Sequence, residues 1–197
     1  MSLELVNTVA AIGTFLVIAT TAIAAVIQLR HMRASNQLQG LLTALARIED
    51  EDFNTWFTVT QERLPVLLSD PIFRRDIDEG RYDRNAPWIK LANSYDAIGN
   101  LIKNGLLPED TFLDNSCYRI VTAWDMLHDL TAIVRRRAGP AVWENFEYVY
   151  VRSKRWLDNH PDGNYPAREK RAHVLDRYLE EDRRLREAAP LEIVQDV

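Results

Sequence analysis

Asp125, His128 and Asp129 are the residues whose types and spacing come nearest to chemistry. Positions three and four apart on a helix are surface neighbours. A carboxylate and an imidazole placed this way would serve as metal ligands or as an acid–base couple. A di-iron bundle needs two Glu-x-x-His motifs and further carboxylates, and the sequence holds no second copy. The competing reading is a solvated helix edge on which these groups pair with one another or with water.

A second candidate runs from Asp158 to Glu169, D-N-H-P-D-G-N-Y-P-A-R-E. Asp158, Asp162, Gly163 and Glu169 match the first, fifth, sixth and twelfth positions of a calcium loop. His160 takes the third ligand position, Pro161 and Pro166 stiffen the segment, and no partner loop occurs elsewhere. These departures favour a polar turn between helices. Cys117 has no His near it in sequence, and Tyr118, Ile120 and Val121 beside it predict a buried thiol rather than a nucleophile. No phosphate loop, G-x-S-x-G or zinc spacing occurs, so neither a catalytic group nor a cofactor is expected.

The elements that would position these residues follow from the whole chain. It has 197 residues, 24 Lys+Arg against 29 Asp+Glu, a net charge of -5, and 47% hydrophobic residues. That balance excludes a wholly disordered or collagen-like chain and gives no support to nucleic-acid binding. One cysteine excludes an internal disulfide framework.

Leu5 to Leu29 contains no charged residue. As a helix its 25 residues would span about 37 Å, enough to cross a hydrocarbon core of about 30 Å with some tilt. The acid Glu4 before the run and the run's length argue against a cleaved signal peptide. Arg30 and Arg33 follow the run, with no Lys or Arg before it. The positive-inside rule then predicts a single pass through the inner (plasma) membrane, amino terminus outside and carboxy-terminal domain in the cytoplasm. Gly13, Val17, Thr21 and Ala25 share one ridge of the span, where small residues would allow close packing against a second helix.

Leu38, Leu41, Leu42, Leu45 and Ile48 repeat at helical spacing, which predicts that the span continues as a stalk. Glu49 to Asp52 mark either a break or the start of the next helix. Further helices are expected from Phe53, bent or ended at Pro65; from Asp70-Pro71 to Gly80; from Pro87 to Gly105; from a start at Pro108; over the stripe Tyr118 to Val134, with Arg135 to Arg137 in its last turn; from Val142 to Trp156; and, after a turn at Asn159 to Pro166, a charged helix carrying Val174, Leu175 and Tyr178 to about Ala188. The expected class is all-α: one transmembrane helix, a stalk, and an irregular cytoplasmic bundle. The expected divisions are residues 1–34 for the anchor and its basic flank, 35–188 for the helical domain, and 189–197 for a tail.

The stretch Y-D-A-I-G-N-L-I-K-N-G-L-L-P-E-D-T-F from Tyr95, followed by Trp124 and the Arg run near Arg136, resembles a family of small bacterial membrane proteins whose shared domain has no assigned function. The resemblance implies one amino-terminal transmembrane helix and a helical cytoplasmic domain, and implies no activity. The residues themselves read as structural. Tyr95, Ile98, Leu101 and Ile102 form a core face, Gly99 permits a close helix approach, and Gly105 supplies a left-handed cap.

A signature of packing residues points to a scaffold rather than a catalyst. The expected role is an adaptor or regulator bound to the bilayer that acts by protein–protein contact, with Trp56, Trp88, Trp143 and Trp156 as candidate anchors. Arg135 to Arg137 and Arg152, Lys154 and Arg155 are two basic clusters that would suit anionic lipid or an acidic partner. The alternatives are a metal-dependent enzyme or cation sensor using the carboxylates above, and a homo-oligomeric assembly built through the Gly13 ridge.

Overall fold

The computed structural model describes residues 3–188, and among them every regular element is helical. In chain order these are α1 (Leu3–Glu49), α2 (Glu51–Ser69), α3 (Pro71–Asp78), α4 (Pro87–Lys103), α5 (Glu109–Ala138), α6 (Glu144–Asn159) and α7 (Leu179–Ala188). The chain is all-α, with one long apolar helix at its amino-terminal end.

Helix α1 runs unbroken for 47 residues, about 70 Å. No proline interrupts it. In its apolar stretch, Thr14, Thr20 and Thr21 donate their hydroxyl hydrogens back to the carbonyls of Ala10, Leu16 and Val17 at 2.9, 2.8 and 2.7 Å. The hydroxyls are thereby satisfied within the helix.

The acidic stretch after α1 does both jobs the sequence allowed. Asp50 breaks the helix and its carboxylate accepts from the Asp52 N–H at 2.8 Å, capping α2, while Glu51 and Asp52 sit in the first turn. Of the two outcomes expected at Pro65, an end is excluded: α2 continues through it to Ser69. A proline inside a helix costs about 3 kcal/mol. Leu64 is fully buried next to it and Leu68 packs on the core a turn later, so packing on both sides of the proline holds the helix.

Helix α4 is the centre of the bundle. It packs most extensively on α6 and also touches α2 and α5. It ends as the sequence predicts. Gly105 takes φ +68°, its N–H reaches the Ile102 carbonyl at 3.0 Å, and the Leu106 N–H reaches the Leu101 carbonyl at 2.9 Å. That paired pattern is a Schellman cap, and it needs the left-handed residue that Gly supplies.

The compact units divide at Gly163, with residues 1–163 in one and 164–197 in the other. Helix α1 passes through residue 34 without a break. Within the second unit the last helix begins only at Leu179, so Val174, Leu175 and Tyr178 precede it. Val174 is 87% exposed. Leu175 and Tyr178 are exposed as well, so this stretch lacks the packing that stabilises a short helix. Residues 189–197, the expected tail, lie outside the described residues.

Candidate functional site

The aromatic core begins at Tyr95. Its ring stacks on Phe146 with centroids 5.0 Å apart and meets Phe53 edge-on at 5.4 Å. Trp124 meets Phe146 edge-on at 5.0 Å and stacks on Tyr150 at 5.2 Å. These rings tie α2, α4, α5 and α6 together. Burial pushes the Tyr95 hydroxyl well above its ordinary pKa. Arg119 opposes that shift electrostatically without standing in hydrogen-bonding geometry to the hydroxyl.

Helix α6 starts against α4. Asp96 accepts from the Asn145 N–H at 3.0 Å and the Phe146 N–H at 3.2 Å, so a side chain of one helix caps the other. Trp143, the residue before α6, sits in the left-handed region at φ 53°. A non-glycine residue tolerates that conformation only when its surroundings fix it. Here the indole is buried and donates to the Asn93 side-chain oxygen at 2.8 Å. A Cβ at Gly99 would collide with the Asn145 carbonyl, so the close approach expected of Gly99 is realised at this junction.

Helix α1 reaches the bundle at the α4–α5 turn. The Gln37 amide donates to the Gly105 carbonyl at 3.1 Å, and a Cβ on Gly40 would lie 2.9 Å from the Leu106 carbonyl oxygen. The positions singled out in the sequence (Tyr95, Gly99, Gly105, Leu106 and Trp124) thus hold α4 to α6, α5 and α1. A family model described as Domain of unknown function (DUF4760) matches residues 15–156. The chain belongs to this family. No curated protein and no solved structure matches it. The DUF4760 match begins within the apolar stretch of α1 and ends at Trp156 on α6, so the unit from residue 164 lies outside it.

Above the turn, α1, α2 and α4 enclose an open groove of about 470 Å³. Ala44, Ala97, Ile98 and Leu101 give it an apolar lining. Trp56 is half-buried at its edge, with the Arg47 guanidinium 4.9 Å and the Lys90 ammonium 5.2 Å from the ring. Cations over an indole face are attracted to its negative quadrupole. The groove thus combines an aromatic anchor, an apolar lining and a positive rim.

The four tryptophans offered as anchors divide. Trp56 and Trp88 are half-buried, the latter edge-on to Phe73 at 6.0 Å. Trp143 and Trp156 are each 8% exposed and belong to the core, Trp156 stacking on His160 at 4.1 Å. A tryptophan on an amphipathic stripe reads the same in sequence whether its outer edge is covered or open.

The chemistry candidates lie on the surface. Asp125, His128 and Asp129 are all exposed on α5, and the His128 Nδ1 lies 3.1 Å from an Asp129 carboxylate oxygen. Asp158 is in the last turn of α6, while Asp162 lies in the following turn. Glu169 belongs to the second unit. His160, at the third position of the loop pattern, turns its Nδ1 to the Trp156 carbonyl at 2.8 Å. Among the described residues no group of three or more His, Cys, Asp or Glu is placed to hold a metal ion. Cys117 is buried, as expected, and burial pushes its thiol up.

The basic clusters are partly consumed by the bundle. Arg135 pairs with Glu147 at 2.7 Å and donates to the Val142 carbonyl at 2.9 Å. Arg152 pairs with Glu109. Lys154 and Arg155 remain exposed. On α1, Gly13, Val17, Thr21 and Ala25 are exposed, and a Cβ added to Gly13 would meet nothing within 4 Å. Sequence reasoning missed Asp96 and the groove around Trp56. A capping carboxylate on another helix has no local sequence mark, and a groove between three helices exists only once they pack.

Proposed function

We propose that this protein is a single-pass membrane-anchored adaptor or regulator that acts by binding another protein through the groove at Trp56. The observation that carries the proposal is the groove itself: a half-buried tryptophan beneath two cations, over an apolar lining, where α1 meets the bundle. Tryptophan and arginine are favoured in the residues that dominate binding energy. The apolar first half of α1, with none of its most apolar window buried, supports anchoring, and Arg30 and Arg33 after it support a cytoplasmic bundle.

In this arrangement the anchor fixes the groove close to the membrane surface. A partner helix or strap with apolar residues and acidic flanks would complement it. The test is purification of the full chain and of Trp56→Ala from native membranes in mild detergent. A protein partner in fixed ratio with the full chain and lost from Trp56→Ala, with helical content unchanged by circular dichroism, is the expected result. A partner retained by Trp56→Ala, or a chain that never holds one, would overturn the assignment of the groove.

A second reading, self-association through α1, rests on the open Gly13, Val17, Thr21 and Ala25 ridge. Gly13→Leu would then lower the particle mass in detergent. An unchanged mass would dismiss the ridge as an interface.

A further inference from the structure

The bundle covers one side of α1 and leaves the other open. Ala44 and Ile48 are buried against the bundle, and Gln37, Gly40, Leu41 and Leu45 are half-buried around them. At about 3.6 residues per turn, Val17, Ser35 and Leu42 fall on the opposite side of the helix. Leu42 is 58% exposed there, and Leu38, one turn before it, is 57% exposed, although both lie past the apolar run.

The open side carries a seven-residue repeat. Thr21, Gln28, Ser35 and Leu42 stand seven apart, and Ala24, His31, Leu38 and Leu45 follow them at three places later. These rows are the a and d positions of a coiled coil. No Asp, Glu, Lys or Arg occupies either row. The cations of α1 turn the other way. Arg33 borders the α4–α5 turn, Arg30 stands one turn below it, and Arg47 lies by the Trp56 ring. A seven-residue repeat drifts by about 20° per heptad around a straight helix, and a left-handed supercoil of two helices absorbs that drift.

Depth selects the occupant of this seam. The rows are small and uncharged inside the apolar run, carry an amide at its end, and turn to leucine beyond it. The Gln28 side chain has no hydrogen-bond partner among the described residues. In hydrocarbon an amide of this kind bonds across to a second helix. A second copy inserted in the same direction sets Gln28 against Gln28 and Leu42 against Leu42, so each depth meets its own kind. A polar residue at a single a position also fixes the register and the number of strands.

We infer that α1 pairs with α1 of a second copy as a parallel, left-handed coiled coil that runs from the span into the stalk on the side away from the bundle. The seam leaves the Ala44 and Arg47 side of the helix, and with it the Trp56 groove, free for the partner proposed above. This inference rests on the anchoring and self-association readings.

The test uses the full chain in native membranes. Ser35→Cys and Leu42→Cys place a thiol on the seam, and Asn36→Cys places one beside it. Each membrane sample is mildly oxidised, since a disulfide forms only where two Cβ atoms come within about 4.5 Å. Cys117 is buried, and the unmodified chain serves as the blank. The mass of the unmodified particle in mild detergent is measured alongside. A dimer by mass, with covalent dimers from positions 35 and 42 and none from 36, is the expected result. A dimer by mass in which 36 links as well as 35 and 42, or in which none of the three links, would overturn the seam and leave self-association standing. A monomer by mass without any link would overturn both. A link from position 42 to a different protein would overturn the second copy as the occupant. Leu38→Arg sets two cations against each other and should lower linking through Leu42→Cys about tenfold. Each bundle keeps its own core, so the melting of the bundle should stay unchanged in that variant. Unaltered linking would overturn the placement of Leu38 in the seam.

Discussion

Residues 3–29 and residues 37–49 belong to one helix, and their surroundings differ completely. The first stretch carries Val9, Ile12, Phe15, Ile18, Ile23 and Ile27, all at least half exposed. The second buries Ala44 and Ile48 in the core, half-buries Leu41 and Leu45, and turns Leu38 and Leu42 outward. An apolar stretch left uncovered by its own protein is a surface made for another solvent or another chain. An amphipathic stretch with one face covered is ordinary core packing. The two glycines of α1 follow the same division: Gly13 has open space, whereas Gly40 lies against the Leu106 carbonyl.

The comparison can be broken most severely by charge. An arginine at the centre of a membrane helix costs about 2.5–3.5 kcal/mol in insertion. Ile18→Arg should therefore shift the chain out of the membrane fraction, while Leu38→Arg on the exposed face of the stalk leaves both membrane association and melting nearly unchanged. Equal effects of the two would remove the distinction between the halves.

The next largest effects are steric. Gly99→Ala forces a Cβ into the Asn145 carbonyl, and overpacking of this kind costs about 1–3 kcal/mol. Gly40→Ala meets a backbone oxygen as well, and part of its cost is offset by the better helix propensity of alanine. Thermal melting should fall most for Gly99→Ala, less for Gly40→Ala, and not at all for Gly13→Ala.

Alkaline pH should loosen the bundle and spare the span. Burial raises the pKa of both Tyr95 and Cys117 in the folded state. The unfolded chain releases these protons near pH 8.5 for the thiol and about 10 for the phenol. Stability is thus full below pH 8 and declines as pH rises through those values, since the folded state holds its protons longer. Melting curves from pH 7 to 10.5 would show the decline, and Cys117→Ala should delay its onset. The smallest effect is expected from Tyr95→Phe. Its hydroxyl is buried without a hydrogen-bond partner, so removal is neutral or stabilising by up to about 1 kcal/mol.

Much of this architecture is legible from local signals. Asp70-Pro71, Pro87, Gly105 and the Arg run at the end of α5 each mark a helix end through chemistry that acts within one turn. Gly99 is legible as a close approach, but not its partner Asn145. Pro65 does not end α2, because its penalty is local and the packing of Leu64 and Leu68 that outweighs it is not. The start of α7 misleads in the opposite way: Val174, Leu175 and Tyr178 hold helical spacing but stay exposed, without packing to stabilise a helix there. The Trp56 groove is legible only as a lone tryptophan, because Arg47 and Lys90 come to it from two other helices.

The account depends most on the first half of α1. The direct measurement is alkaline carbonate extraction of membranes from cells producing the full chain, with Ile18→Arg extracted in parallel. The full chain should remain in the membrane pellet and the variant should be released. Release of the full chain into the supernatant would contradict the membrane span, and with it the anchoring of the Trp56 groove to the membrane.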